Sequence, residues 1–161
     1  MTELQNKIVG IVGRKGSGKS TALRELTCCR PRVVIFDTQA EHPSPNTFYS
    51  LDRCLEYLDA HTRDPFFHCA LRPRGKEEEV LNGLADEVYR VGGICFAVEE
   101  TPWFSTPVSQ PEGLDLISRM GRHRRVDLVW TAQRMVEVSR RLTSATDVFV
   151  LFAMTEPSSP W

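Results

Sequence analysis

Residues 13–20 read Gly13-Arg14-Lys15-Gly16-Ser17-Gly18-Lys19-Ser20, a complete G-x-x-x-x-G-K-[ST] string. The string constrains the fold because its chemistry needs a strand before it and a helix after it. The glycines let backbone N–H groups curl around a polyphosphate. The lysine reaches the outer phosphates, and the serine hydroxyl reaches Mg²⁺. Lys7-Ile8-Val9-Gly10-Ile11-Val12 is a short apolar β-type run feeding the loop, and Thr21-Ala22-Leu23-Arg24-Glu25-Leu26 is helical material leaving it. Strand, glycine loop and helix N-terminus together make an anion site. The sequence therefore predicts a nucleotide cradle built from Gly13, Arg14, Lys15, Gly16, Ser17, Gly18, Lys19, Ser20 and Thr21. A glycine-rich turn that binds nothing leaves the direct succession Gly18-Lys19-Ser20 unexplained.

The 161 residues are enough for one domain with a sizeable core, expected over 1–155, followed by a short Pro/Ser-rich tail at 156–161. Net charge is −1, so no global field advertises nucleic acid or membrane, and any nucleic-acid surface must be local. Cys28, Cys29, Cys54, Cys69 and Cys95 form no C-x-x-C pair, and the four histidines offer no spaced metal set. They read as scattered buried thiols in a reducing compartment. No apolar stretch approaches the ~20 residues of a membrane helix, and no signal peptide precedes the first strand. The expectation is a cytoplasmic protein with no membrane partner.

Apolar runs and helical stretches alternate after the loop. Strands are expected at residues 32–37, 66–71, 94–98, 126–131 and 147–152, which with the first run makes six. Ser50 is placed to cap a helix carrying Leu51, Cys54, Leu55 and Leu58 at helical spacing. Residues 77–90 and 112–121 read as helices, and 136–142 as a short helix or turn. Residues 38–45 and 101–111 read as loops. Strands separated by helices predict an α/β fold, mostly parallel, with helices on both faces.

Hydrolysis needs a carboxylate for Mg²⁺ and a group that activates water. Ile94-Cys95-Phe96-Ala97-Val98 is an apolar strand ending in Glu99 and Glu100, at the edge where α/β sheets bind ligands. Alternation along an extended strand would send the two side chains different ways. Glu99 is assigned to Mg²⁺ through water, together with Ser20, and Glu100 as general base; the bland alternative is a pair of solvated acids. Gln133 follows the fifth strand. It either reaches the γ-phosphate and its attacking water or is an ordinary loop glutamine. Asp37 closes the second strand and could hold ribose, water or a loop, or simply cap a turn. Arg119, Arg122, Arg124 and Arg125 crowd into seven residues. They read as a solvated helix end, as a finger reaching a neighbouring subunit, or as contacts tracking a DNA backbone. Trp103 and Phe104 read equally as an exposed partner or pore contact and as buried packing.

Four blocks in order resemble the HerA/FtsK superfamily of P-loop ATPases, including viral DNA-packaging ATPases of that clade. They are residues 13–20, Phe36-Asp37-Thr38-Gln39-Ala40-Glu41-His42, Ala97-Val98-Glu99-Glu100, and residues 117–134 with their pattern of Gly121-Arg122, a short strand, then Thr131-Ala132-Gln133-Arg134. The resemblance implies a three-layer P-loop sandwich. In it the strand carrying Gln133 inserts between the P-loop strand and the Glu99 strand. It also implies ATP and Mg²⁺ as cofactors, homo-hexameric rings, and translocation of double-stranded DNA. A capsid vertex or a nuclease is the implied partner, in a host cytoplasm or a virion. By the same resemblance Lys19 and Glu100 are catalytic, Gln133 is a γ-phosphate sensor, and Arg122 or Arg119 is a finger acting in trans. The chain departs from the family in carrying Glu99 where Asp is usual, and in being close to a bare core.

Two other functions compete. A small-molecule or nucleotide phosphotransferase shares the P-loop, but the 101–111 loop has no arginine for a lid. A nucleotide-gated binding module with little turnover is the third.

Overall fold

Side chains alternate in strands, and here that alternation sorts one sheet between two unequal helical layers. In the computed structural model, which describes residues 7–153, seven strands form a single sheet. They are β1 (Ile8–Val12), β2 (Arg32–Phe36), β3 (Asn46–Phe48), β4 (Phe67–Leu71), β5 (Cys95–Val98), β6 (Asp127–Ala132) and β7 (Val148–Leu151). Their spatial order is β3-β4-β2-β5-β6-β1-β7, and every neighbouring pair is parallel. Five α-helices accompany them: α1 (Lys19–Cys28), α2 (Leu51–Ala60), α3 (Glu77–Val91), α4 (Glu112–Met120) and α5 (Arg140–Ala145).

Val34, Phe36, Phe96, Val98, Leu128 and Trp130 point to one face, where α2, α3, α4 and α5 bury Leu58, Leu81, Leu84, Leu114 and Leu142. Val33, Ile35, Ala97 and Val129 point to the other, against Leu23 of α1. Burying such a side chain contributes about 1.5–3 kcal/mol, so both faces drive the sheet to the interior. β5 and β6 are buried at every position, as a central parallel strand requires.

The architecture matches the α/β expectation, with the strand before Gln133 lying between β1 and β5. Three details differ. Among the described residues there are seven strands rather than six; β3 is three residues long and half-buried at the sheet edge, too short to leave a pattern. Ser50 precedes α2 in an extended conformation but makes no side-chain cap bond. Cys54, Cys69 and Cys95 are buried as expected, but Cys28 and Cys29 are exposed. The tail expected at 156–161 and the domain end at 155 lie outside the described residues. Among the described residues no helix is long and apolar enough to cross a membrane.

Gly10 lies in the middle of β1, where a glycine weakens a strand without a reason to be there. The reason is Trp130, which faces Gly10 across the β1–β6 ladder. A Cβ on Gly10 would sit 2.4 Å from Trp130 Cζ2. Trp130 is fully buried and its indole N–H donates to Thr146 Oγ1 at 3.0 Å, so it cannot swing away freely. Gly10→Ala is expected to cost about 1–3 kcal/mol by overpacking, read as a lower denaturant midpoint. Trp130→Leu in the same chain should make the added methyl nearly neutral. A Gly10→Ala protein as stable as the parent would show that the sheet yields there.

Candidate nucleotide site

Four adjacent strands, β2, β5, β6 and β1, deliver their carboxyl ends to one edge of the sheet. In that row lie Asp37, Glu99 with Glu100, Gln133, and Gly13. Backbone bonds stitch it together. Glu99 N–H donates to Phe36 O at 3.1 Å, and Gly13 N–H donates to Ala132 O at 3.2 Å. The sequence-predicted residues of the loop, both glutamates and Gln133 are thus brought to one edge. The predicted finger candidates Arg119 and Arg122 are not.

The loop itself demands glycine where it turns. Gly18 has φ 105° and Gly16 φ 76°, a region that L side chains rarely adopt. Gly13 has no room for a Cβ, which would lie 2.6 Å from Phe152 Cβ just after β7. α1 starts at Lys19 with no side chain capping it, so its first N–H groups are left for an anion. Lys19 Nζ donates to Gly13 O at 2.8 Å and to Arg14 O at 3.3 Å, folding its ammonium across the loop. Arg14, Lys15 and Thr21 are exposed around it. The uncapped helix, the positive-φ glycines and the buried, unpartnered Ser17 Oγ suit a polyphosphate.

Glu99 and Glu100 do part company, though not through extended geometry. β5 ends at Val98, and Glu100 adopts φ 49°, ψ 53°. That left-handed conformation costs a non-glycine residue roughly 1–2 kcal/mol, and such strain collects at functional sites. Thr131 Oγ1 holds it by accepting Glu100 N–H at 2.9 Å. The result aims Glu100 at the loop, with its Oε1 3.9 Å from Lys19 Nζ.

Glu99 turns inward instead and is 3% exposed. Its Oε1 meets His42 Nε2 at 2.9 Å, while its Oε2 is buried with no partner. Burial raises its pKa; the His42 contact opposes that rise, and neighbouring Asp37 adds to it. Asp37 resolves as a loop organiser. Its carboxylate accepts Glu41 N–H at 3.1 Å and His42 N–H at 3.3 Å, and pairs with Arg72 Nε at 2.9 Å. Arg72 Nη2 also donates to His42 O at 3.0 Å. Ser20 Oγ donates to Glu41 Oε2 at 2.7 Å. Asp37, His42 and Glu99 each offer a ligand atom within 4.8 Å of the others. The Oε2 of Glu99 is thus a buried acceptor left unsatisfied within that cluster.

Gln133 is exposed one residue beyond the Ala132–Gly13 bond. Arg119 and Arg122 lie at the other end of β6, whose six residues span about 20 Å. Arg119 pairs with Asp115 at 3.1 Å and is largely exposed. Arg122 is exposed, and among the described residues its guanidinium has no partner. Arg124 is structural: it donates to Tyr89 O at 3.0 Å and to Arg90 O, at the end of α3. Trp103 is 60% exposed, whereas Phe104 packs edge-on against Phe36 at 5.7 Å. The two aromatics therefore divide between the two readings.

Sequence reasoning gave no role to Thr131, His42, Glu41 or Arg72. The signal for three of them was in the quoted blocks: a threonine before Gln133, and polar residues four and five places after Asp37. Arg72, at the end of β4, carried none.

This edge defines the chain's fold as that of a P-loop NTPase with an additional strand between the P-loop strand and the carboxylate strand. That placement of β6 between β1 and β5 is the one that the resemblance to the HerA/FtsK superfamily implied. Among solved structures, it is similar to the genome packaging NTPase B204 of Sulfolobus turreted icosahedral virus 2 in complex with ATPγS. That match has 19% identity and a TM-score of 0.70 over 94% of this chain and 78% of that one. It is also similar to B204, the DNA-packaging ATPase of Sulfolobus turreted icosahedral virus (18%, TM-score 0.64, 94% and 78%). The N-terminal domain of zonular occludens toxin from Neisseria meningitidis is a third (16%, TM-score 0.59, 90% and 75%). No protein-family model and no curated protein matches the sequence. At these identities the likeness is one of fold.

Proposed function

We propose that the chain is the ATP-hydrolysing subunit of a homo-hexameric ring that moves double-stranded DNA, as in viral genome packaging. The observation that carries this reading is Glu100, held in a strained conformation 3.9 Å from the P-loop lysine. A carboxylate there can take the proton of a water attacking the γ-phosphate. The fold shared with a genome packaging NTPase supports the task.

Lys19 leaves the carbonyls of Gly13 and Arg14 to bind the outer phosphates. The amides from Arg14 to Thr21 hold the rest of the polyphosphate. Gln133, one residue from the P-loop ladder, orients the attacking water and senses the γ-phosphate. Mg²⁺, bound by Ser20 and through water by Glu99, would neutralise charge on the phosphates. Arg122, or Arg119, sits a strand's length from its own loop and so would act on a neighbour's phosphates. Among the described residues Arg122 has no partner, while Arg119 would first have to leave Asp115.

ATP turnover measured with and without long duplex DNA at low salt, alongside particle mass with ATP and Mg²⁺, tests the reading. DNA-stimulated turnover in a ring-sized particle is expected. A monomer whose turnover ignores DNA removes the motor, and phosphate moved to an acceptor rather than water makes the chain a phosphotransferase.

A further inference from the structure

Ser20 directs its hydroxyl out of its own helix. Ser and Thr in helices commonly bond back to a carbonyl three or four residues earlier, as Thr27 of α1 does to Leu23 O at 2.9 Å. Ser20, in the first turn of the same helix, donates instead to Glu41 Oε2 at 2.7 Å, across to the loop after β2. Glu41 is not there by chance of rotamer alone. Its own N–H is fixed by Asp37 Oδ1, and Asp37 is fixed by Arg72. Among the described residues the Glu41 carboxylate has no cation partner, although the P-loop beside it is basic.

We infer that Glu41 is a positioning residue for the divalent cation of the nucleotide, acting through Ser20. The inference rests on the ATPase reading above. A hydroxyl that ligates a cation through oxygen must send its proton elsewhere. Glu41 accepts that proton's hydrogen bond, so the Ser20 oxygen keeps its lone pairs for the metal and gains electron density. Partners of this outer kind change metal affinity 10–100-fold when removed. The negative charge has a second consequence of opposite sign. Near the phosphates, Glu41 repels ATP alone but favours ATP carrying Mg²⁺.

Glu41→Ala and Glu41→Gln should be compared with the parent in equilibrium binding, without turnover. A fluorescent ATP analogue is titrated in EDTA and then in Mg²⁺, and Mn²⁺ binding is followed by electron paramagnetic resonance. Glu41→Ala is expected to weaken Mg²⁺ and Mn²⁺ about tenfold or more, while metal-free ATP binds as tightly as before or tighter. Glu41→Gln, whose amide oxygen can still accept from Ser20, should recover part of the metal affinity. Unchanged metal affinity in Glu41→Ala overturns the inference. So does an equal loss in Glu41→Gln, or a loss of metal-free ATP binding that marks a merely structural role. A parent protein that binds no nucleotide in either condition removes the ATPase reading itself, a different failure.

Discussion

Glu100→Gln is expected to lower ATP turnover about 10²–10⁴-fold while ATP binding persists. The size follows from the role: a general base removed from a positioned water leaves the phosphate cradle whole. The direction of the binding change follows from charge. Glu100 Oε1 lies 3.9 Å from Lys19 Nζ with both side chains largely buried. Neutralising that acid frees Lys19 for the phosphates and removes a repulsion, so the affinity for ATP should hold or rise. The substitution keeps the volume, the left-handed backbone and the Thr131 bond to Glu100 N–H, so any change in thermal stability reports the weakened contact with Lys19. Single-turnover hydrolysis and binding of a fluorescent ATP analogue separate these effects. Near-normal turnover would remove Glu100 as base.

The nearest rival for that role is Glu99, and the structure separates the two by direction rather than by distance along the chain. Glu99 is engaged by His42 and faces Asp37. A base must reach the water that attacks phosphate, and of the two it is Glu100 that lies against the P-loop lysine, 3.9 Å away.

How far the sequence could reach is clearest residue by residue. The P-loop was legible because its chemistry is local: eight consecutive residues carry the glycines, the lysine and the hydroxyl. The insertion of β6 between β1 and β5 was legible only through the resemblance, since nothing in the apolar run 126–131 says which strands flank it. The split between Glu99 and Glu100 was foreseen for the wrong reason. Strand alternation was expected to produce it, whereas a left-handed residue at Glu100 does. Gly10 could not be understood from its own neighbourhood, because the side chain that requires it, Trp130, is brought alongside by sheet pairing. Arg72 was invisible for the same reason, and His42, though it stands in a quoted block, gave no sign of its partner Glu99. Each meets its partner across the row of strand ends, and no spacing within the chain encodes such a meeting.

Within that row, Asp37 is the residue whose loss should damage stability most. Asp37 is 1% exposed and serves three donors: the N–H groups of Glu41 and His42, and Arg72 Nε. Asp37→Ala leaves all three without it. Removing one partner of a buried ion pair costs about 3–5 kcal/mol. The low end, about 3 kcal/mol, is expected here because Arg72 is 22% exposed and can turn toward water. For a chain of this size that lowers Tm by about 6–12 °C. Arg72→Met should cost less, since Asp37 keeps both backbone amides. The loop bonds also tie stability to the nucleotide site. Without Asp37, Glu41 is no longer fixed on Ser20, so Mg²⁺ affinity should fall as in Glu41→Ala. The two losses should not add in the double variant, because both act through one hydrogen bond. Additive losses would mean that Asp37 reaches the cation by a separate route, through Glu99. An Asp37→Ala protein as stable as the parent would mean that the loop after β2 is held by something other than its own carboxylate.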